Sequence, residues 1–302
     1  MEKTIESILS HRSVRVRDEN VVKKKLDAIL KGGNDQLGVI SDFDFTLTRS
    51  IDHDGVPCFS SHNVLNQLLY TLHPELTEEI HATNSKYLAI EYDPGLTKEE
   101  KLPYMIEWWT KAHEKYIAFR IHREEIEQFV VNAKIELRDG ADALVRHLAS
   151  SSIPLLLFSA GVGNVIDIFL RDQLGYIPDN IHIISNMLIF NDEGVVCACS
   201  EPLIHVFCKD ASVIPKNAPF YDDIAHRGNI ILLGDSLGDL HMDVGVAHSG
   251  TVLKIGFLNS RVDELLDSYL EGFDIVLVED QTMDVPDLIL QALLKNSKNS
   301  NE

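Results

Sequence analysis

Basic residues are scarce in this sequence. Lys and Arg together number 27 against 47 Asp and Glu, which leaves a formal net charge of -20. Proteins that bind nucleic acids present clustered basic side chains to the phosphate backbone. Such a surface is not expected here. The charge balance instead favours a small substrate escorted by a cation, with no nucleic-acid partner.

Long apolar segments are also missing. No run approaches the roughly 18 apolar residues of a membrane-spanning helix, and the opening MEKTIE lacks the apolar core of a secretion signal. The four cysteines form no disulfide framework for a chain of this size, and one residue separates Cys197 from Cys199, where zinc sites usually have about two to four. We therefore expect a soluble, cytoplasmic protein without a membrane partner.

The pattern of apolar residues predicts an α/β fold. From residue 140 onward, short apolar runs alternate with helical segments, which is typical of a doubly wound parallel sheet. Between about residues 49 and 138 helical periods dominate, and we interpret this block as a cap inserted after the first core strand. The predicted domains are an α/β core, residues 1–48 plus 139–302, and a helical cap domain, residues 49–138.

Two aspartates follow the first core strand. The stretch GVISDFDFTLT, residues 38–48, spaces Asp42 and Asp44 two apart. Alternate residues of a strand point to the same side, so both carboxyl groups share one face. Carboxylates so close oppose each other's ionisation unless a cation separates them or one is protonated. The pair suits phosphoryl transfer to an Asp nucleophile with an acid beside it; it equally suits a strand that ends in solvated acids or an Asx turn.

A second acid pair follows a later apolar run. NIILLGDSLGD, residues 229–239, places Asp235 and Asp239 four apart. In open parallel sheets, ligands bind where the carboxyl ends of the strands meet, so both pairs could converge on one crevice. Four carboxylates there require a hard cation with oxygen ligands, and Mg²⁺ is the natural choice.

These motifs resemble those of the haloacid dehalogenase (HAD)-like phosphatases, whose signature is DxDx(T/V) followed late in the chain by GDxxxD. Further stretches are similar to the cytosolic 5'-nucleotidase III family: PYMIEWWTKAH at 103–113, FSAGVG at 158–163, LIHVFCK at 203–209 and KIGFLN at 254–259. The similarity extends from about Gly32 to Ile289. It implies a HAD-like core with an inserted helical cap.

The resemblance assigns roles to the acid pairs. Asp42, at the strand end, is the expected nucleophile that forms an aspartyl phosphate. Asp44 is the expected general acid, then the base that activates water, and its backbone carbonyl is expected to hold Mg²⁺. The expected metal set is Asp42, Asp44, Asp235 and Asp239, the last of which binds through water or orients its neighbours.

A phosphate site is expected from two further stretches. Ser159 lies just past a strand end, so its hydroxyl and the amides of Ala160 and Gly161 would hold phosphoryl oxygens at a helix amino terminus. The alternative is a Ser that only caps the next helix. Lys209 resembles the family's phosphate-binding lysine, although an isolated Lys is usually a solvated surface charge. Asn164 replaces the family's usual Asp, which leaves the role of that side chain open.

Substrate choice is expected to come from the cap. Glu91 matches the family's base-recognising Glu, since a carboxylate accepts hydrogen bonds from the NH groups of a base. The double Trp, Trp108 and Trp109, resembles the branch that hydrolyses 7-methylguanosine 5'-monophosphate. A methylated guanine is cationic and Trp offers the best cation-π face. We expect Trp109 to stack on the base and Trp108 to serve packing.

The sequence departs from the family at one base-binding position. A Phe usually follows the first-motif Arg and forms the other side of the base sandwich, but Ser50 follows Arg49 here. Phe45 or Phe59 would have to compensate, and without a second ring the selectivity for the methylated base would be weaker.

Together these features predict a Mg²⁺-dependent 5'-nucleotidase that acts through an aspartyl phosphate and favours 7-methylguanosine 5'-monophosphate. A pyrimidine nucleotidase for CMP and UMP, with nucleoside phosphotransferase activity, is the alternative. A non-catalytic nucleotide-binding module is the remote alternative, which the intact acids and Lys209 disfavour. We expect a monomer whose partner is the small-molecule nucleoside monophosphate.

Overall fold

The structure is a computed structural model that describes residues 2–93, 95–246 and 249–299, with side chains up to residue 296. The strands, in chain order, are β1 Val14–Arg15, β2 Leu37–Ser41, β3 Leu155–Val162, β4 Ile181–Asn186, β5 Leu188–Phe190, β6 Val196–Cys199, β7 Asn229–Gly234, β8 Val252–Leu258 and β9 Ile275–Val278. The α-helices are α1 Glu2–Leu9, α2 Glu19–Gly32, α3 Ser61–Leu72, α4 Thr77–Glu91, α5 Lys98–Ala118, α6 Arg123–Val130, α7 Ala141–Ser150, α8 Gly163–Leu174, α9 Phe220–Ile224, α10 Val262–Gly272 and α11 Asp284–Asn299.

In this described part of the chain, seven strands form one sheet in the order β1-β9-β8-β7-β2-β3-β4. All neighbours pair in parallel except β1, which lies antiparallel to β9 at one edge. The predicted parallel sheet is therefore confirmed, whereas the two-residue β1 is too short to show as a pattern in sequence. β5 and β6 form a separate antiparallel pair, where the sequence pattern of about residues 186–200 predicts a hairpin.

Strand β2 lies at the centre of the sheet, between β7 and β3. Its five residues are all buried, because helices cover both faces of a parallel sheet. Val39 belongs to one apolar cluster and its neighbour Ile40 to another. This alternation between two cores is the packing of a doubly wound fold.

Helices α3 to α6 lie between β2 and β3, where the sequence predicts the cap. The chain enters this block after β2 and leaves it before β3. These two connecting segments are joined by an antiparallel bridge between Thr48 and Leu137. Apolar residues of α3 and α6, such as Leu65 and Ile126, join the main core cluster. The domain boundaries at residues 49 and 138 stay a prediction.

Two element boundaries differ from expectation near the acid pairs. The apolar run predicts a strand over about residues 37–43, but β2 ends at Ser41. The Phe43 carbonyl accepts hydrogen bonds from the amides of Thr46 (3.3 Å), Leu47 (3.0 Å) and Thr48 (3.1 Å), which fold the chain into a tight loop. The sequence also predicts an α-helix over about residues 238–243, where the structure has a short 3-10 helix, Leu237–His241.

Candidate active site

The carboxyl ends of β2 and β7 bring three acids together. Asp42 directly follows β2, and its amide donates to the Leu233 carbonyl of β7 at 2.9 Å. Asp235 directly follows β7. One carboxylate oxygen from each of Asp42, Asp235 and Asp239 lies within 4.8 Å of the others. These hard oxygen ligands form an acidic cluster that could hold a metal ion.

Lys209 supplies positive charge to this cluster. Its ammonium contacts Oδ1 of Asp42 and lies 2.7 Å from Oδ1 of Asp239, and its side chain is 4% exposed. Burial alone would lower the pKa of Lys209, but the carboxylates of Asp239 and Asp42 outweigh burial and raise it. The lysine is therefore a fixed cation next to the expected nucleophile.

One lysine does not neutralise three carboxylates. Burial raises the pKa of Asp42 to about 7, against the opposing charge of Lys209, and Asp239 and Asp44 add to the rise. Burial also raises the pKa of Asp235 well above its usual value, with Asp42 and Asp239 adding repulsion. The cluster is short of positive charge, which is the condition that a bound cation relieves.

Asp239 organises the turn after β7. Its Oδ2 accepts hydrogen bonds from the amides of Asp235 (3.2 Å) and Ser236 (3.0 Å) and from the Ser236 hydroxyl (3.0 Å). Only glycine fits at position 234, because a Cβ there would lie 2.5 Å from the Asp239 Cβ. The side chain thus fixes its neighbours, in line with the orienting role considered from the sequence.

Asp44 is held by a residue that the sequence did not single out. The amide of Ser61 donates to Oδ1 of Asp44 at 2.6 Å, and the Ser61 hydroxyl donates to Oδ2 at 2.6 Å. Burial raises the pKa of Asp44, and these two hydrogen bonds oppose the rise. In sequence, Ser61 shows only the signature of a helix start, and no local pattern links it to Asp44.

Two further residues that the sequence did not reveal, Arg138 and Asn259, hold the loop after Asp44 in place. Phe45 adopts a left-handed conformation with φ 61°, which costs energy for any residue with a side chain. Its carbonyl accepts from Nη2 of Arg138 at 2.5 Å and from Nδ2 of Asn259 at 3.0 Å. Burial lowers the pKa of Arg138 to about 9, with Asp235 and Asp280 opposing.

The expected phosphate-binding residues lie at the end of β3. Oγ of Ser159 accepts from the Gly161 amide at 2.9 Å, so the side chain shapes the loop locally. Nδ2 of Asn186 donates to the Ala160 carbonyl at 2.7 Å. Asn164 has a structural role: its Oδ1 accepts from the Leu188 amide at 2.6 Å, and its Nδ2 donates to the Leu188 carbonyl at 3.3 Å.

A single cavity of about 220 Å³ joins these groups. One end is polar and the other is aromatic. The polar end includes Asp42, Asp44, Ser159, Ala160, Gly161, Lys209, Asp235 and Ser236. The aromatic end includes Trp108 and Trp109 with their neighbours His62 and Asn84, and Phe45, Glu91 and Tyr92 also line the cavity. Every site residue expected from the sequence lines this cavity except Asp239. Asp239 lies beside the cavity lining, because it accepts a hydrogen bond from Lys209, which does line the cavity.

The aromatic end contains both tryptophans. Trp108 stacks on Tyr87, with ring centroids 5.8 Å apart at 13°, and its indole N–H donates to Oδ1 of Asn84 at 3.0 Å. The ring of Trp109 meets His62 edge-on at 4.7 Å. Burial raises the pKa of Glu91 to about 7, with Lys101 and Lys209 opposing.

Ser50 does not line the cavity. Its hydroxyl accepts from Nε2 of Gln281 at 3.0 Å, and its amide donates to Oε1 of the same residue at 3.0 Å. Phe59 packs against the main core cluster, whereas Phe45 lines the cavity. Of the two rings considered as replacements, only Phe45 lines the cavity.

Comparison with solved structures places the fold in a known class. A HAD family hydrolase from Salmonella enterica matches with a TM-score of 0.53 at 14% identity, covering 85% of this chain and 71% of that one. A substrate-bound phosphoserine phosphatase matches with a TM-score of 0.51 at 15% identity, covering 82% and 95%. The chain has the fold of the HAD phosphatases, as predicted.

Closer relatives define the family. The family model for pyrimidine 5'-nucleotidase (UMPH-1) matches residues 45–294. The putative cytosolic 5'-nucleotidase 3 of Caenorhabditis elegans is 43% identical over 95% of this chain and 77% of its own length. The human 7-methylguanosine phosphate-specific 5'-nucleotidase is 40% identical over 95% of each chain. A crystal structure of cytosolic 5'-nucleotidase IIIB bound to cytidine has a TM-score of 0.89 and 36% identity, covering 100% and 99%.

The chain therefore belongs to the pyrimidine 5'-nucleotidase (UMPH-1) family, and it is a 5'-nucleotidase. The predicted resemblance and enzyme class are confirmed. The predicted cytoplasmic location agrees with the word cytosolic in the names of these relatives. Among the helices that the structure describes, none is long and apolar enough to cross a membrane.

Proposed function

We propose that this enzyme is a Mg²⁺-dependent 5'-nucleotidase that releases phosphate through an aspartyl phosphate on Asp42, with 7-methylguanosine 5'-monophosphate among its best substrates. The observation that carries the proposal is the single cavity that joins an acidic end to an aromatic end. A nucleoside monophosphate has the matching polarity, with an anionic phosphate at one end and a flat base at the other.

In this proposal the protein groups act in successive steps. Lys209 and the Thr46 hydroxyl, 3.2 Å from Oδ2, orient the carboxylate of Asp42. Asp42 attacks phosphorus, and Asp44 gives its proton to the departing 5'-oxygen. Asp44 then removes a proton from the water that attacks the aspartyl phosphate, which returns both carboxyl groups to their starting states. Lys209 balances charge on the transferring group.

Asp42, Asp235 and Asp239, with the backbone carbonyl of Asp44, are the proposed holders of Mg²⁺. The all-oxygen donor set and the raised pKa values of Asp42 and Asp235 support this assignment. When bound, the ion supplies positive charge to the phosphoryl oxygens.

Glu91 and Trp109 are the proposed base-binding residues. Both line the cavity. A cationic methylated guanine would gain from the face of Trp109 and from the nearby carboxyl group of Glu91. The names of the human and amphibian relatives, which are specific for 7-methylguanosine phosphate, support this choice.

A pyrimidine nucleotidase with nucleoside phosphotransferase activity is the second candidate. The family description and the cytidine bound to the solved relative favour it. We also propose that residues 49–138 act as a cap over the core. We further propose that the protein is a monomer, and size-exclusion chromatography with light scattering tests this oligomeric state directly.

The substrate experiment compares phosphate release from 7-methylguanosine monophosphate, GMP, CMP and UMP, with Mg²⁺ and with chelator. We expect metal-dependent release that favours the methylated nucleotide. Preference for CMP or UMP would overturn the substrate assignment in favour of the second candidate. Full activity in chelator would overturn the metal assignment.

A further inference from the structure

We infer that Ser61 is a positioning residue for the general acid: docking of helix α3 on the sheet fixes the carboxyl group of Asp44 in its reactive orientation. This inference rests on the acid role of Asp44 under the proposed function. It adds a residue from the inserted helical segment to the machinery of the core.

One residue holds both oxygens of the acid. The amide and the hydroxyl of Ser61 each donate at 2.6 Å, one to Oδ1 and the other to Oδ2 of Asp44. In the described part of the chain, these are the hydrogen bonds that this carboxyl group makes. A planar group bound at both oxygens cannot rotate about its Cβ–Cγ bond, so its orientation follows the position of Ser61.

The start of helix α3 explains why the amide is available. Ser61 is the first residue of the helix, and the first amides of a helix have no partner within it. The preceding Ser60 caps the helix by accepting from the Asn63 amide at 3.2 Å, which leaves the Ser61 amide free for Asp44. The helix amino terminus also favours a negative charge at this position.

The hydroxyl connects a third segment. The Val162 amide, at the end of β3, donates to Oγ of Ser61 at 3.2 Å, and Ser61 is fully buried. Only glycine fits at position 161, because a Cβ there would lie 1.9 Å from Oγ of Ser61. A hydroxyl both donates and accepts, so Ser61 can hold Asp44 as a carboxylate and also as a protonated acid.

The inference predicts an effect that depends on the leaving group. The 5'-oxygen of a nucleoside is a poor leaving group and needs a proton, whereas nitrophenolate leaves without one. Ser61→Ala should lower kcat/KM, which reports phosphate transfer to Asp42 and not the later attack of water, by about tenfold to about a hundredfold on 7-methylguanosine monophosphate and CMP. On p-nitrophenyl phosphate the loss in kcat/KM should be under about threefold, since departure of nitrophenolate does not require a well-placed acid.

Three further variants calibrate the test. Asp44→Asn removes the acid itself and sets the largest selective loss. Thr97→Ala is the matched structural control, because Oγ1 of Thr97 caps helix α5 at 3.3 Å from the Glu100 amide and Thr97 does not line the cavity. It should cost stability without a selective loss. Ser61→Cys fills the buried space with a weaker donor, so its loss of activity on nucleotides should fall between wild type and Ser61→Ala. Melting temperatures are measured for all four variants.

The outcomes separate this inference from the proposed function. If Asp44→Asn is selective but folded Ser61→Ala and Ser61→Cys lose equally on both kinds of substrate, or lose nothing, Ser61 does not position the acid. If Asp44→Asn is itself unselective, the acid role fails and the inference fails with it. Selective losses in the order Asp44→Asn, Ser61→Ala, Ser61→Cys support it.

Discussion

Replacement of Lys209 with Met tests the electrostatic account of the site. The ammonium contacts two buried carboxylates, those of Asp42 and Asp239, and its side chain is 4% exposed. Removal of one partner of a buried ion pair typically costs about 3–5 kcal/mol, since the remaining charge is left without compensation. We therefore expect the free energy of unfolding, without metal, to fall by about 4 kcal/mol at about pH 8.

The loss should shrink in acid, and the sign follows from Asp42. Its pKa in the folded protein is already raised to about 7, and removal of Lys209, which lowers it, raises it further. A carboxyl group whose folded-state pKa is raised binds a proton in the folded protein before it does in the unfolded chain, so the variant regains stability as the pH falls from its own Asp42 pKa, above 7, to about 7, where the wild type begins to do the same. At about pH 5 we expect less than half of the loss seen at about pH 8.

Urea denaturation of both proteins at the two pH values measures this difference. Lys25→Met is the control: Nζ of Lys25 lies 2.7 Å from both oxygens of Asp274, but its side chain is 30% exposed, so we expect a loss of at most about 1 kcal/mol. An equal loss for Lys209→Met at both pH values, or one no larger than that of Lys25→Met, would refute the reasoning.

Three further predictions concern the cavity. Trp109→Tyr should raise KM for 7-methylguanosine monophosphate by about three- to tenfold and change CMP less, since Tyr is the weaker cation-π face; an equal change on CMP would count against stacking. Burial lowers the pKa of His62 to about 4, and His113 lowers it further. The contribution of neutral His62 to the free energy of unfolding is therefore present above about pH 6.5 and falls by about 2 kcal/mol between about pH 7 and about pH 5. His62→Gln should flatten this pH dependence in urea denaturation, and an unchanged slope would contradict the reasoning. Gly161→Ala should lower kcat on nucleotides at least about tenfold, because the new Cβ would lie 2.7 Å from Oδ2 of Asp44; wild-type steady-state rates would disprove the tight fit.

The sequence predicted the acidic end of the site because the signals there are local. One strand end is followed by Asp42 and Asp44, and another is followed by Asp235. Because the carboxyl ends of parallel strands meet at one edge of the sheet, this pattern is enough to predict that the acids lie together. β2 and β7 are indeed hydrogen-bonded neighbours. The same reasoning gave the fold class, since alternating strands and helices leave few other arrangements.

The supporting residues could not be predicted in this way. Ser61 is 17 residues from Asp44 and 101 from Val162, and Arg138 is 93 residues from the carbonyl of Phe45 that it supports. Such contacts depend on how the inserted helices sit on the sheet, which no local pattern encodes. Ser50 shows the same limit, because its pairing with Gln281 spans 231 residues.

Phosphate release by Asp42→Asn tests the central claim most directly. The substitution keeps the size of the side chain and removes the carboxylate that attacks phosphorus. With 7-methylguanosine monophosphate, CMP and Mg²⁺, we expect no turnover above background from a variant with an unchanged circular dichroism spectrum. Appreciable release of phosphate by that folded variant would contradict the assignment of Asp42 as the nucleophile.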